Sequence, residues 1–186
     1  MDTDAPPGVG EPHRHALWTI GHGTRTADAL IELLRTHGIR RLVDVRTIPR
    51  SRHNPQFNRE ALPETLRAAN IDYVHLPGLG GLRRPRPDSV NTGWTNAGFR
   101  GYADYMETES FGHALEELLD LARGEATAIM CAETLPWRCH RSLIADALMA
   151  RSIDVRHILS ATSADAHVLT PWARVDGVRV TYPGVV

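Results

Sequence analysis

Short apolar runs alternate with helix-period segments along most of this chain, and each run gives way to glycine or polar residues. Ala16-Leu17-Trp18-Thr19-Ile20 ends in Gly21-His22-Gly23, after which Ala27, Leu30, Ile31 and Leu34 recur at helical spacing up to a stop at Gly38. Leu42 to Val45 reads as a second strand, followed by a long turn and a helix starting near Asn58. Ile71 to Leu76 is a third strand, and helical patterns cover Ala97 to Met106 and Ser110 to Ala122. Ala126-Thr127-Ala128-Ile129-Met130 is continuously apolar, as in a strand buried on both faces of a parallel sheet, and is the best candidate for a central strand. Cys139 to Met149 reads as helix and Ile153 to Leu159 as a fifth strand. This alternation predicts right-handed crossovers and an α/β fold: an open, mostly parallel sheet of about five strands with helices on both faces, Rossmann-like or flavodoxin-like. Asp176-Gly177 between alternating residues adds a C-terminal β-hairpin.

Length agrees with one domain. A chain of 186 residues buries roughly 70% of its unfolded surface and needs no staple. Residues 1–14 lack apolar periodicity and read as a disordered leader, 15–160 as a single α/β domain, and 161–186 as a C-terminal extension whose hairpin packs on it. Cys131 and Cys139 are too few for a disulfide framework, and no stretch resembles a signal peptide or a membrane span, so the expected location is cytoplasmic, with both thiols reduced. All 21 basic residues are arginine and are balanced by 22 acids, giving a formal charge of -1 that predicts no bulk attraction to nucleic acid or membrane. Locally, six arginines between Arg40 and Arg59 face Asp44 alone, while eight acids between Tyr102 and Glu133 face only Arg123. The arginine-rich stretch, with Arg83-Arg84-Pro85-Arg86, offers a surface for an anion or for nucleic acid.

In open parallel sheets ligands bind outside the carboxyl ends of the strands. Gly21-His22-Gly23, Asp44-Val45-Arg46, Gly78-Leu79-Gly80-Gly81 and Cys131-Ala132-Glu133 all follow predicted strands and therefore converge on one rim. The loop from Pro77 to Thr95 is long enough to act as a lid. At the predicted helix start, Cys139-His140-Arg141 places a thiol beside unpaired amides, Arg138 and Arg141, which favours the thiolate: a nucleophile, a redox centre or a metal ligand. The same amides could hold a phosphate, sulfate or carboxylate. Six residues separate Cys131 from Arg138, one more than in the Cys-loop-Arg motif of cysteine phosphatases and rhodaneses. A metal set would join Cys131 and Cys139 to His140, His22 or His75, and a reversible disulfide would need the two α-carbons within about 7 Å. Against these stand plainer readings: Cys131 as a small core residue, His157 as a structural residue in an apolar strand, and Trp94, Phe99, Tyr102, Tyr105 and Met106 as core at helical spacing.

Thr19-Ile20-Gly21-His22, Asp44-Val45-Arg46 with Pro49 and Ser51, Leu79-Gly80-Gly81, Tyr102 with Met106, and Cys131-Ala132-Glu133 through Cys139-His140-Arg141 together resemble the domain of unknown function 488 family over about residues 17–160. The resemblance implies an α/β protein with functionally important cysteines, adds Ser51 and Tyr102 to the candidate site, and names no reaction or cofactor. Where relatives often carry a serine after the Thr-Ile-Gly-His segment, this chain has Gly23.

The resulting functional reading is a thiol-dependent enzyme acting on an anionic small molecule or nucleotide-like group. Cys139 or Cys131 is the nucleophile, Arg46, Arg138 and Arg141 bind the anion, Glu133 or His22 moves protons with His140 beside the thiol, and Asp44 orients Arg46. Gly21, Gly80 and Gly81 shape the rim. The alternatives are a nucleic-acid-binding module built on the arginine-rich loops and a metal-binding protein using Cys131, Cys139 and His140.

Overall fold

The computed structural model describes residues 16–184, so the leader expected over 1–14 lies outside the described residues. Five parallel strands, β1 (Leu17–Gly21), β2 (Arg41–Asp44), β3 (Asp72–His75), β4 (Thr127–Cys131) and β5 (Val155–Ile158), share a sheet with an antiparallel β6 (Ala164–Ala166) in the order β3-β2-β4-β1-β5-β6. The continuous apolar run is indeed central, because every residue of β4 is buried between β2 and β1. A separate antiparallel pair, β7 (Arg174–Asp176) and β8 (Arg179–Thr181), forms the hairpin around Asp176-Gly177.

Two apolar layers cover the sheet, and the period-two alternation of β4 divides its side chains between them. Ala128 and Met130 join Leu30, Ile31 and Leu34 of α1 (Ala27–Thr36) and Leu62 and Leu66 of α2 (Leu62–Ala68). Ile129 and Cys131 face the opposite layer, formed by α3 (Ala97–Met106), α4 (Glu109–Leu121) and α5 (Arg141–Met149). Side-chain caps set the helix starts: Thr26 Oγ1 accepts from Ala29 N, Asn96 Oδ1 from Gly98 N and Phe99 N, and Thr108 Oγ1 from Phe111 N.

Several local outcomes differ from the pattern reading. The sheet has a sixth strand, β6, too short and polar to show periodicity. The helix after the Cys loop starts at Arg141 rather than Cys139, because a 3-10 turn over Pro136–Arg138 closes with Cys139 N on Pro136 O and leaves Cys139 extended at φ -139° and ψ 150°. Likewise α2 begins at Leu62, after a 3-10 turn over Pro55–Phe57. The 77–95 loop is tied down along its length: Asp104 accepts from Arg86 N, Ser89 Oγ and Asn91 Nδ2, and Arg83 lies 3.5 Å over the Tyr105 ring.

The C-terminal segment docks on α5 through Tyr182, which is fully buried. Its hydroxyl donates to Asp146 Oδ2 at 2.8 Å, and its backbone N donates to Asn91 Oδ1 at 2.8 Å. Tyr182→Phe therefore strips a donor from a fully buried carboxylate, and urea denaturation should show a loss of about 1–3 kcal/mol with the fold retained.

Candidate functional site

The carboxyl ends of β1, β2 and β4 open into a cleft of about 810 Å³, a size suited to a small-molecule ligand. From β1 and its turn come His22, Gly23 and Thr24; from the segment after β2, Arg46, Thr47, Ile48, Arg50, Ser51 and Asn54. The Cys loop contributes Cys131 to Thr134 and Arg138 to His140, and Gly81, Leu82 and Phe99 close the remaining side. Asp44, Gly21, Gly80, Tyr102 and Arg141, also singled out in the sequence, stand behind this lining. Tyr102 is fully buried, with its hydroxyl on Leu79 O, so its contribution is packing beneath His140, 5.1 Å away between ring centres.

The two sulfurs meet. Cys131 and Cys139 are joined as a disulfide across the loop, against the expectation of two reduced thiols, with Cα atoms 7.6 Å apart. That separation exceeds the roughly 4.4–6.8 Å usual for a disulfide, so this backbone accommodates two adjacent thiols at least as well as a permanent bridge. Beneath them lies Arg141, fully buried on the first turn of α5. Its Nε donates to Cys131 Sγ at 3.0 Å, Nη1 to Thr19 Oγ1 at 3.1 Å, and Nη2 to the carbonyls of Glu133 and Thr134. Burial, only partly countered by the Glu133 charge, brings its pKa down to about 9. The loop can close so tightly because residue 21 is glycine: a Cβ there would stand 1.9 Å from Glu133 O. At Gly23, with φ +53°, a Cβ would meet Thr134 Oγ1 at 2.3 Å, so here a loop threonine holds the space of a side chain at position 23.

On the cleft's other side Asp44 and Arg46 form a bidentate pair, Nε to Oδ1 at 2.9 Å and Nη2 to Oδ2 at 2.6 Å. Asp44 also accepts from the Arg46 backbone N and from Tyr73 Oη at 2.7 Å. Burial and the Asp44 charge push the Tyr73 hydroxyl up, so it stays a donor. Arg46 Nη2 further donates to Phe57 O, and Nη1 donates to His22 Nε2 at 3.2 Å. Five guanidinium donors meet four protein acceptors here, which leaves an Nη1–H for a ligand in the cleft.

The histidines have distinct positions. His22 is stacked on Phe57, donates from Nδ1 to Gly23 O at 2.8 Å, and is held neutral down to about pH 4, chiefly by burial. With both nitrogens engaged it orients Arg46. His75 donates from Nε2 to Arg46 O at 2.8 Å. His140 donates from Nε2 to Val45 O at 3.2 Å, which leaves the Nδ1 lone pair 3.5 Å from Cys139 Sγ; its pKa is also lowered to about 4, again mainly by burial. Of the imidazoles considered for a metal, His140 is the one grouped with the sulfurs: ligand atoms of Cys131, Cys139 and His140 all lie within 4.8 Å of one another. Glu133 is exposed at the rim.

The arginine-rich stretch divides between opposite ends of β2. Arg40 and Arg41 stand at its start, where Arg41 pairs with Asp72 at 3.2 Å, while Arg46 and Arg50 line the cleft beyond its end. In the 83–86 segment Arg83 packs on Tyr105, and Arg86 pairs with Asp88 and Glu107. Pattern reading missed Thr19 and Thr134 as partners of Arg141; His157, read as structural, is buried with its Nδ1 2.7 Å from Thr19 Oγ1. For Thr19 the sequence offered a hydroxyl inside an otherwise apolar strand and a place in the Thr19-Ile20-Gly21-His22 segment.

No helix among the described residues is long and apolar enough to cross a membrane. A family model described as a domain of unknown function, DUF488, matches residues 26–148. Among curated proteins and solved structures nothing matches.

Burial also lowers His157 to about 4, so three imidazoles, those of His22, His140 and His157, are neutral in the folded protein. Their unfolded reference is about 6.5, so on acidification the unfolded chain takes up these protons first. Stability should hold above about pH 6.5 and fall steadily from there towards pH 4. Urea midpoints measured across that window should drop with pH; a flat profile would contradict buried neutral imidazoles.

Proposed function

The chain belongs to the DUF488 family, and because that description names no reaction we propose, from the geometry of the cleft, a thiol-dependent enzyme acting on a small anionic or nucleotide-like substrate. The observation that carries this reading is the contact of the Cys131 and Cys139 sulfurs on a cleft wall, with a buried guanidinium N–H donated to Cys131 Sγ. An N–H bond from a cation stabilises a thiolate more than a thiol, and the thiolate is the nucleophile. Cys139 has an imidazole lone pair beside it and serves as the neighbouring thiol.

The free Nη1–H of Arg46, together with Arg50 and Arg138 at the rim, supplies the positive side for the anion, and Ile48, Leu82 and Phe99 supply an apolar wall for the group it carries. In the reaction the Cys131 thiolate attacks the electrophilic atom of the bound substrate. The new sulfur bond forms as the bond to the leaving group breaks, and the leaving group departs with that electron pair and takes a proton from solvent, relayed by Glu133. Water or an acceptor nucleophile then takes the group from sulfur, loses its proton through Glu133 and restores the thiolate. This chemistry requires reduced thiols, in keeping with a cytoplasmic setting.

A second reading is favoured by one observation, the grouping of Cys131, Cys139 and His140 with Nδ1 of His140 turned to the sulfurs and Nε2–H anchored on Val45 O. A ligating histidine is commonly anchored this way, and two sulfurs with one nitrogen suit a zinc-like ion.

Alkylation of the reduced protein separates the two. With iodoacetamide and the anionic iodoacetate, each cysteine is followed by mass spectrometry with and without a chelator. The enzyme reading expects reaction at neutral pH without chelator, a rate ratio favouring iodoacetate over that seen for free cysteine, and slowing by inorganic phosphate or sulfate. Thiols that react only after chelation establish the metal reading, and thiols inert in both conditions overturn both.

A further inference from the structure

Behind Arg141 a chain of buried polar groups runs away from the cleft into the C-terminal segment, beyond the part matched by the family model. Thr19 Oγ1 lies 2.7 Å from His157 Nδ1, His157 Nε2 lies 2.8 Å from His167 Nδ1, and His167 Nε2 lies 2.8 Å from Asp146 Oδ1. Asp146, fully buried, is held further by Tyr182 Oη at 2.8 Å and Thr170 N at 3.0 Å. These groups share the α5 side of the sheet, because Thr19 and His157 alternate with the residues facing the other layer and pair directly across β1 and β5.

The two ends of this chain fix its direction. A guanidinium only donates and a carboxylate only accepts. One set of ring tautomers then satisfies every link: Arg141 Nη1–H donates to Thr19, the Thr19 hydroxyl to His157 Nδ1, His157 Nε2–H to His167 Nδ1, and His167 Nε2–H to Asp146. Because the cleft end is a guanidinium, the chain delivers no proton to the sulfur. What it does is aim Arg141, whose adjacent Nε–H points at Cys131 Sγ at 3.0 Å. Both ends sit on α5, at Arg141 and Asp146, so the helix is clamped to β1, β5 and the segment after β6 by a single set of bonds.

We infer that Thr19, His157, His167 and Asp146 are positioning residues for Arg141, through which the C-terminal segment sets the reactivity of the Cys131 thiol. This inference rests on the thiol reading above, and it assigns a role to residues outside the cleft lining. Thr19 is the most informative position, since valine keeps its shape and removes the hydroxyl, while serine keeps the hydroxyl.

The test is the pH profile of Cys131 alkylation by iodoacetamide in reduced wild type, Thr19→Val, Thr19→Ser and His167→Ala, with thermal unfolding recorded alongside. Loss of one such link is expected to move the Thr19→Val midpoint upward and to slow the neutral-pH rate about tenfold. Thr19→Ser should stay near wild type, and His167→Ala should shift in the same direction as Thr19→Val. A Thr19→Val protein that melts earlier but keeps the wild-type profile, beside a reactive wild type, overturns the positioning role and leaves the thiol reading intact. A wild-type Cys131 inert at every pH overturns the thiol reading, and this inference falls with it.

Discussion

A buried guanidinium organises this protein's rim. Arg141 is 1% exposed, and taking such a charge from water is costly unless its donors are all met. Its partners come from β1, β4 and the loop that follows β4: the hydroxyl of Thr19, the sulfur of Cys131, and the carbonyls of Glu133 and Thr134. The direction of the Cys loop, the place of the α5 N-terminus and the orientation of one thiol therefore follow from the same side chain. Gly21 is part of that arrangement, because only without a Cβ can β1 pass close enough for the loop to fold back over Arg141.

Arg46 offers an instructive contrast. It is almost as buried, yet it carries its own counter-ion in Asp44, and the Tyr73 hydroxyl completes that carboxylate. The pair is thus close to neutral as a unit and forms part of the cleft wall through Arg46. The two arginines stand on different strands, one with its charge answered and one without, and the cleft lies between the segments they hold. A ligand meeting both sides would find a shaped hydrogen-bond donor on one and an unanswered positive field behind the thiols on the other.

Much of this fold is visible in sequence because strands and helices leave periodic traces. The apolar run at β4, the glycine and polar residues after each strand, and the Asp176-Gly177 turn all correspond to real elements. What periodicity does not carry is geometry on the scale of one turn. Pro136 initiates a 3-10 turn that displaces the α5 start by two residues, so Cys139 lies extended before the helix rather than on its first turn, and the helix-dipole reason for expecting a thiolate there gives way to contacts with His140 and Cys131. Arg141, read in sequence as an anion-binding side chain, is turned inward. The polar chain from Thr19 to Asp146 was illegible for a related reason: its links span up to 138 positions, and each member taken alone is an ordinary threonine, histidine or aspartate.

The unanswered charge of Arg141 also bears on what the sulfurs do. Its hydrogen-bond partners are a sulfur, a hydroxyl and two backbone carbonyls, and Glu133, the acid that acts on it electrostatically, sits at the solvent-exposed rim. Burial draws its pKa down, so a negative charge nearby favours the guanidinium. On the proposed reading, a thiolate at Cys131, whose sulfur lies 3.0 Å from Nε, provides that charge. On this view the thiolate and the guanidinium are two halves of one buried pair, each lowering the cost of the other's charge. Chemistry that consumes the thiolate charge, whether by a covalent bond or by closing onto Cys139, leaves the guanidinium uncompensated again, and an anion arriving from the cleft is then the natural replacement. On the proposed reading, thiol reactivity and anion binding at this rim are therefore coupled through Arg141.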